Sequence, residues 1–182
     1  MSATALVAVA NGSEDIETVT IVDVLRRAGV DVTLASAHAQ REIIAARGTN
    51  LVADAIMDEC ADEQFDLIAL PGGMPGAEHL RDCETLMAMV RAQRDAGRWY
   101  AAICAAPAVA LAHHGLLEGK TATGHPRFME PLPNGGSDQR VVVDGNCITS
   151  RGPGTAIEFS LALVEALCGR EIRDQVAGPM VL

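Results

Sequence analysis

Residues Trp99 to His113 read WYAAICAAPAVALAH. Trp99 to Ile103 is a short apolar run, as expected of a strand buried on both faces. Cys104 ends that run. Ala105 and Ala106 are small enough for a sharp turn, and Pro107 suits the first turn of a helix, where its missing N–H costs nothing. Ala105 to His113 then reads as a helix. A buried strand that turns abruptly into a helix, with a nucleophilic side chain at the corner, is the nucleophile-elbow pattern, here with Cys in place of Ser. It is a feature of α/β folds.

The same rhythm extends in both directions. Ala5 to Ala10 reads as a buried strand, Asn11 to Asp15 as a polar turn, and Ile16 to Ala28 as a helix with Val19, Val22 and Leu25 on one face and Gly29 as its stop. Val30 to Ser36 is a strand, Ile43 to Val52 a short strand pair around Gly48-Thr49-Asn50, and Phe65 to Leu70 a buried strand ended by Pro71-Gly72-Gly73. Glu84 to Ala96 is a helix closed by Gly97. Val141 to Val143 and Cys147 to Thr149 flank Asp144-Gly145-Asn146, a hairpin signal. Thr155 to Cys168 is the clearest helix, with Thr155 and Glu158 spaced as a capping box and Ile157, Leu161 and Val164 along one face. Short apolar runs alternating with amphipathic stretches predict a mainly parallel sheet between two helical layers, an αβα sandwich in one domain over 1–182. In such sheets, sites form beyond the carboxyl ends of the strands.

Composition narrows the function classes. The 182 residues carry a net charge of -10 and only 3% aromatics. That charge repels phosphate backbones and anionic lipid, and few aromatics leave no base-stacking surface, so stable nucleic-acid binding is not expected. No stretch is long and apolar enough to span a membrane. The five cysteines, Cys60, Cys83, Cys104, Cys147 and Cys168, are odd in number with no C-x-x-C pair, the usage of free thiols in a reducing compartment. With no signal-peptide pattern at the start, the cytoplasm is the expected location.

The chemistry converges on the predicted sheet edge. A helix N-terminus is expected to lower the Cys104 pKa, and the thiolate is the nucleophile, although a free Cys is more commonly a small buried hydrophobe. The loop after the first strand carries Glu14, Asp15 and Glu17. Any of them suits the positive end of a helix, and any of them, pressed against a thiol, would have a raised pKa and could move a proton. Sequence alone does not separate the three. Gly72 and Gly73 allow close backbone approach and would supply oxyanion N–H groups, or merely end a strand. His113 and His114 read as a frayed helix end, whereas His125 begins a loop after a short strand. No His or Cys spacing suggests a metal. Arg151-Gly152-Pro153-Gly154 precedes the helix at Thr155, either as a plain turn and helix start or to set an arginine near an anion or a thiolate.

These segments, in this order, resemble the ThiJ/PfpI superfamily, in the branch of the parkinsonism-associated protein deglycase and its bacterial YajL-like relatives. The resemblance rests on ALVAVANGSEDIETV, LIALPGG, AAICAAPAVALAHHGLLEGK, TSRGPGTAIEFSLALVEALCG and QVAGPMVL. It implies a flavodoxin-like sandwich that forms a homodimer. It also implies Cys104 as an oxidation-sensitive nucleophile, Glu17 as a protonated carboxyl against the sulfur, and His125 nearby. Gly73 and the Cys104 amide match the family's backbone donors, with Gly72 and Ala105 beside them. Arg26, Arg27, Arg47, Arg151 and Pro153 match positions around the pocket or the dimer contact. Ala105 stands where protease-like members carry His, so peptidase activity is not expected. The implied function is a glutathione-independent glyoxalase or deglycase acting on methylglyoxal, glyoxal or early glycation adducts, with no cofactor or metal. The alternatives are a redox-sensing chaperone for client proteins, working through the same sulfur, and a dimeric binding module without turnover.

Overall fold

A computed structural model describes residues 2–182. Seven strands form one sheet in the order β5-β2-β1-β6-β7-β9-β8. They are β1 (Thr4–Val9), β2 (Asp31–Ser36), β5 (Ala55–Ile56), β6 (Leu67–Leu70), β7 (Trp99–Ile103), β8 (Val141–Asp144) and β9 (Cys147–Ser150). All neighbours pair in parallel except the β8–β9 hairpin at one edge. A separate antiparallel ribbon joins β3 (Glu42–Ile44) to β4 (Asn50–Val52). The helices are α1 (Asp15–Arg27), α2 (Gly76–Asp82), α3 (Glu84–Asp95), α4 (Ala156–Cys168) and α5 (Arg170–Ala177).

The two helical layers follow from the two-residue period of a strand. Leu6, Ala8, Ile68, Leu70, Tyr100 and Ala102 point to one face, where they pack with α2 and α3 residues such as Leu80, Leu86 and Val90. Ala5, Val7, Leu67, Ala69, Ala101 and Ile103 point to the other, against Ile21 and Leu25 of α1 and Phe159 and Val164 of α4. Both faces of β1, β6 and β7 are therefore dry, which is why these strands read as continuous apolar runs rather than alternating ones. The structure is the flavodoxin-like α/β sandwich expected from the sequence.

Several local expectations are corrected. On α1 the buried face is Thr18, Ile21, Val24 and Leu25, with Val19 half-exposed. Ile157 of α4 likewise faces outward, and Phe159 and Leu163 are inside. The capping box at Thr155 does not form. Its hydroxyl is engaged with Ser150 Oγ (2.6 Å) and Gly152 N–H (3.1 Å), while Glu158 pairs on the surface with Arg140 (2.7 Å). Thr155 stands at the N-cap, but its ψ of 6° and the 3-10 turn over Pro153–Thr155 aim its hydroxyl at the preceding turn instead of the first free N–H groups. After the elbow, a six-residue π-helix over Pro107–Ala112 replaces the expected α-helix. The short elements β5, α2 and α5 had no periodic signal long enough to read.

Candidate active site

The elbow is strained and tied at both ends. Cys104 has φ 66°, the left-handed region that a side chain disfavours. Its N–H donates to Ser150 O (3.0 Å), and its carbonyl accepts from His125 N–H (2.8 Å). The first bond extends the β7–β9 ladder by one residue. The second fastens the His125 loop directly to the nucleophile's own peptide. Gly72 explains how β6 can lie so close: a Cβ there would sit 2.6 Å from Cys104 Cβ and 2.9 Å from Ile103 O. Gly73, with φ 85°, abuts the backbone of Gly12 and Glu14.

The three acids after β1 have three different tasks. Glu14 caps α1, its carboxylate accepting Glu17 N–H (2.8 Å). Asp15 tethers the β3–β4 loop through Arg47 N–H (2.8 Å) and Thr49 N–H (3.4 Å); against desolvation, the Thr49 hydroxyl and then these N–H groups hold its carboxyl below the usual range. Glu17 is fully buried. Its Oε2 accepts Gly72 N–H (2.7 Å), and its Oε1 has no hydrogen bond of ordinary geometry. The Cys104 thiol adjoins this carboxyl.

Glu17 raises the proton affinity of Cys104, whereas the thiol lowers that of Glu17. Burial pushes Glu17 up to about 7, opposed by the Gly72 N–H and the thiol. Burial and then the Glu17 charge push Cys104 up to about 12, opposed by N–H groups of Gly73 and Ala105 that point at the sulfur. The helix-dipole expectation for Cys104 is therefore overturned. A left-handed corner followed by a short π-helix offers little dipole, and burial beside a carboxylate outweighs it. The two groups titrate as a pair. With the shared proton on the carboxyl, the sulfur is a thiolate backed by two N–H donors.

The backbone donors are also sorted. Gly73 and Ala105 face the sulfur. Gly72 gives its N–H to Glu17, and Cys104 gives its own to the sheet, so neither is free to bind an oxyanion. His125 has its Nδ1 accepting Arg127 N–H (3.2 Å), which leaves the proton of the neutral ring on Nε2. Burial and the nearby Arg127 and Arg151 charges lower its pKa and favour that neutral form.

Cys104, Ala105, Gly73 and His125 open onto a cleft of about 270 Å³, shared with Arg47, Arg127 and Pro153. Sequence reasoning missed Arg127; its position two residues after His125 was the available signal. Arg151 lies behind His125 and donates to Asp138 O (3.3 Å). Arg26 and Arg27 are elsewhere, paired with Asp54 and Asp23 on the outer face of α1 (both 2.8 Å). Among the described residues, no helix is long and apolar enough to cross a membrane.

A model of the DJ-1/PfpI family matches residues 3–166. The chain belongs to the DJ-1/PfpI family. Protein DJ-1 homolog A of Arabidopsis thaliana is 49% identical over 98% of this chain, which spans 46% of that relative. The chain thus covers less than half the length of the Arabidopsis thaliana relatives it matches. The glutathione-independent glyoxalase DJR-1.2 of Caenorhabditis elegans is 35% identical over 93% of this chain and 91% of its own. Among solved structures, oxidized Toxoplasma gondii DJ-1 superposes with a TM-score of 0.97 at 42% identity, covering 99% of this chain and 98% of that one. The elbow and the Glu17–Cys104 pair described above are thus set in a DJ-1/PfpI framework.

Proposed function

We propose that the chain is a cysteine-dependent, glutathione-independent glyoxalase that converts 2-oxoaldehydes such as methylglyoxal or glyoxal into 2-hydroxy acids. The observation that supports this most is the buried Glu17 carboxyl against Cys104, which itself lines an open cleft. The Caenorhabditis elegans relative named as such a glyoxalase adds to it.

The overall change is R–CO–CHO plus water to R–CHOH–COO⁻ plus a proton. The Cys104 thiolate adds to the aldehyde carbon, whose oxygen takes a proton to give a hemithioacetal. Glu17 removes the proton from that carbon and returns one to the neighbouring carbon through an enediol. The first carbon is oxidised to a thioester while the second is reduced to an alcohol, so no cofactor is consumed. Water then displaces the sulfur. Neutral His125 and the N–H groups of Gly73 and Ala105 stabilise the developing oxygen charge. A pKa near 7 for Glu17 places the shuttle where proton transfer in both directions is cheap. Deglycation of early adducts would use the same addition step.

A second reading is favoured by the same donors. A protonated Glu17 and two N–H groups would hold a sulfinate on Cys104 by charge-assisted hydrogen bonds, making it an oxidation sensor with client proteins. In either case we propose a homodimer in the cytoplasm. The groove formed by Val19, Val22, Leu34 and Leu51, with Ile16, Ile44 and Val52 exposed beside it, is the apolar face a second copy would cover.

Lactate formation from methylglyoxal without glutathione tests the main reading. Robust turnover in the native chain, lost in Cys104→Ser and Glu17→Gln, is expected. No turnover in the fully reduced native chain would refute it and shift the weight to redox sensing.

A further inference from the structure

We propose that Arg127 and Arg47 form an anion subsite in the Cys104 cleft, so that the preferred substrate is a 2-oxoaldehyde carrying a carboxylate or phosphate on its far end. The word substrate rests on the glyoxalase reading; the binding of an anion beside Cys104 does not. Arg47 reaches the cleft from the β3–β4 loop and Arg127 from the turn after His125. The chain is strongly acidic, with a net charge of -10. Eight of its arginines are paired with carboxylates at less than 4.0 Å. Arg47 and Arg127 are not among them. Their hydrogen bonds are made by the main chain, Arg47 N–H to Asp15 (2.8 Å) and Arg127 N–H to His125 (3.2 Å). Two guanidinium groups without a carboxylate partner, in a chain rich in carboxylates, line one cleft with the nucleophile.

The local charge agrees. Glu14 is the one carboxylate lining the cleft, and it is turned inward to cap α1. Arg151 adds positive charge from behind His125, and its nearest carboxylate, Asp138, is 4.0 Å away and almost wholly exposed. A guanidinium presents planar paired donors that match carboxylate and phosphate oxygens. The cleft of about 270 Å³ is roomier than a three-carbon dicarbonyl needs, which leaves space for a short chain between the carbonyl carbon at Cys104 and the anion.

The test compares 4,5-dioxopentanoate with 2-oxopentanal, its uncharged counterpart of equal length, at low salt. The ratio of kcat/KM, anionic over neutral, should be about tenfold to a hundredfold. It should fall about tenfold in Arg127→Gln, chiefly through KM, and hold in Arg91→Gln, an exposed α3 arginine remote from the cleft. Adding 3-phosphooxy-2-oxopropanal decides whether carboxylate or phosphate fits better. A readout independent of turnover is alkylation of Cys104 by iodoacetate against iodoacetamide, in which the sulfur displaces iodide. The charged reagent's relative rate should drop about tenfold in Arg127→Gln. If no 2-oxoaldehyde is turned over, that drop upholds the anion subsite while the glyoxalase reading fails. Ratios equal in the native chain and Arg127→Gln overturn the subsite.

Discussion

Cys104, just past the end of β7, and Cys147, on the neighbouring strand β9, differ in almost everything except proton affinity. Both are buried and both thiols are pushed up to about 12. Cys147 sits in regular strand β9 opposite Tyr100, in a dry core. Cys104 sits one residue beyond β7 in a left-handed corner, beside Glu17, with two N–H groups on its sulfur and a cleft above it. Burial raises a thiol pKa, and in Cys147 it outweighs a hydrogen bond with the Tyr100 hydroxyl and the nearby Lys120 charge. What sets Cys104 apart is a neighbour that can hold the proton and donors that can hold the charge. Reactivity here is a property of the pair and its backbone rather than of an isolated pKa.

That contrast can be broken most severely at Gly72. A methyl group there meets Cys104 Cβ at 2.6 Å and fixed backbone at 2.9 Å. Gly72→Ala should cost about 3 kcal/mol or more of stability, read from the guanidinium midpoint. A midpoint within experimental error of the native chain would mean that β6 can retreat from the elbow.

Glu17→Gln sharpens the comparison through pH. The Glu17 pKa rises from 4.5 to about 7 on folding, so the folded state binds the proton more tightly. Its contribution is fully present below pH 4.5 and is lost as pH rises through about 7. The whole effect is on the order of 3 kcal/mol. The native chain should lose stability across that window, whereas Glu17→Gln should be flatter and the more stable of the two at pH 8. Parallel stability curves would contradict the raised carboxyl. The paired variants Cys147→Gly and Cys104→Gly come next. The first should cost about 2 kcal/mol through lost packing and strand order. The second should be close to neutral or gain about 1 kcal/mol, because glycine accepts the left-handed corner freely. Equal losses would show that the corner stores no strain. Smallest is Glu158→Gln, which removes only an exposed pair with Arg140. Thermal melting should detect a loss of about 0.5 kcal/mol or less, and a loss typical of a helix cap would restore the capping box.

Much of this was legible because buried parallel strands and their turns leave local marks. The apolar runs at Ala5 and Phe65, the glycines after α1 and α3, and the Asp144-Gly145-Asn146 turn all match the observed elements. Helix faces read less well. Val19 and Ile157 satisfy an apolar period yet lie outside, because a short helix admits two apolar stripes and only the sheet beneath chooses between them. The DJ-1/PfpI framework was likewise marked by its linear motifs.

The sequence by itself determined the alternation of strand and helix, the elbow at Cys104 and the set of groups around it, since propensity, turn chemistry and strand period act over a few residues. Tertiary structure fixes which acid meets the sulfur, the choice that local propensity left open and only the motif resemblance pointed to. Glu14, Asp15 and Glu17 are equivalent in local propensity. Glu17 is selected because α1, capped by Glu14 and crossed by the loop that Asp15 tethers, turns that one side chain under the Gly72 N–H. It also decided that the thiol pKa rises rather than falls, because desolvation and a neighbouring carboxylate come from segments far apart in the chain. The same holds for the cleft arginines, which two separate loops bring to one cleft.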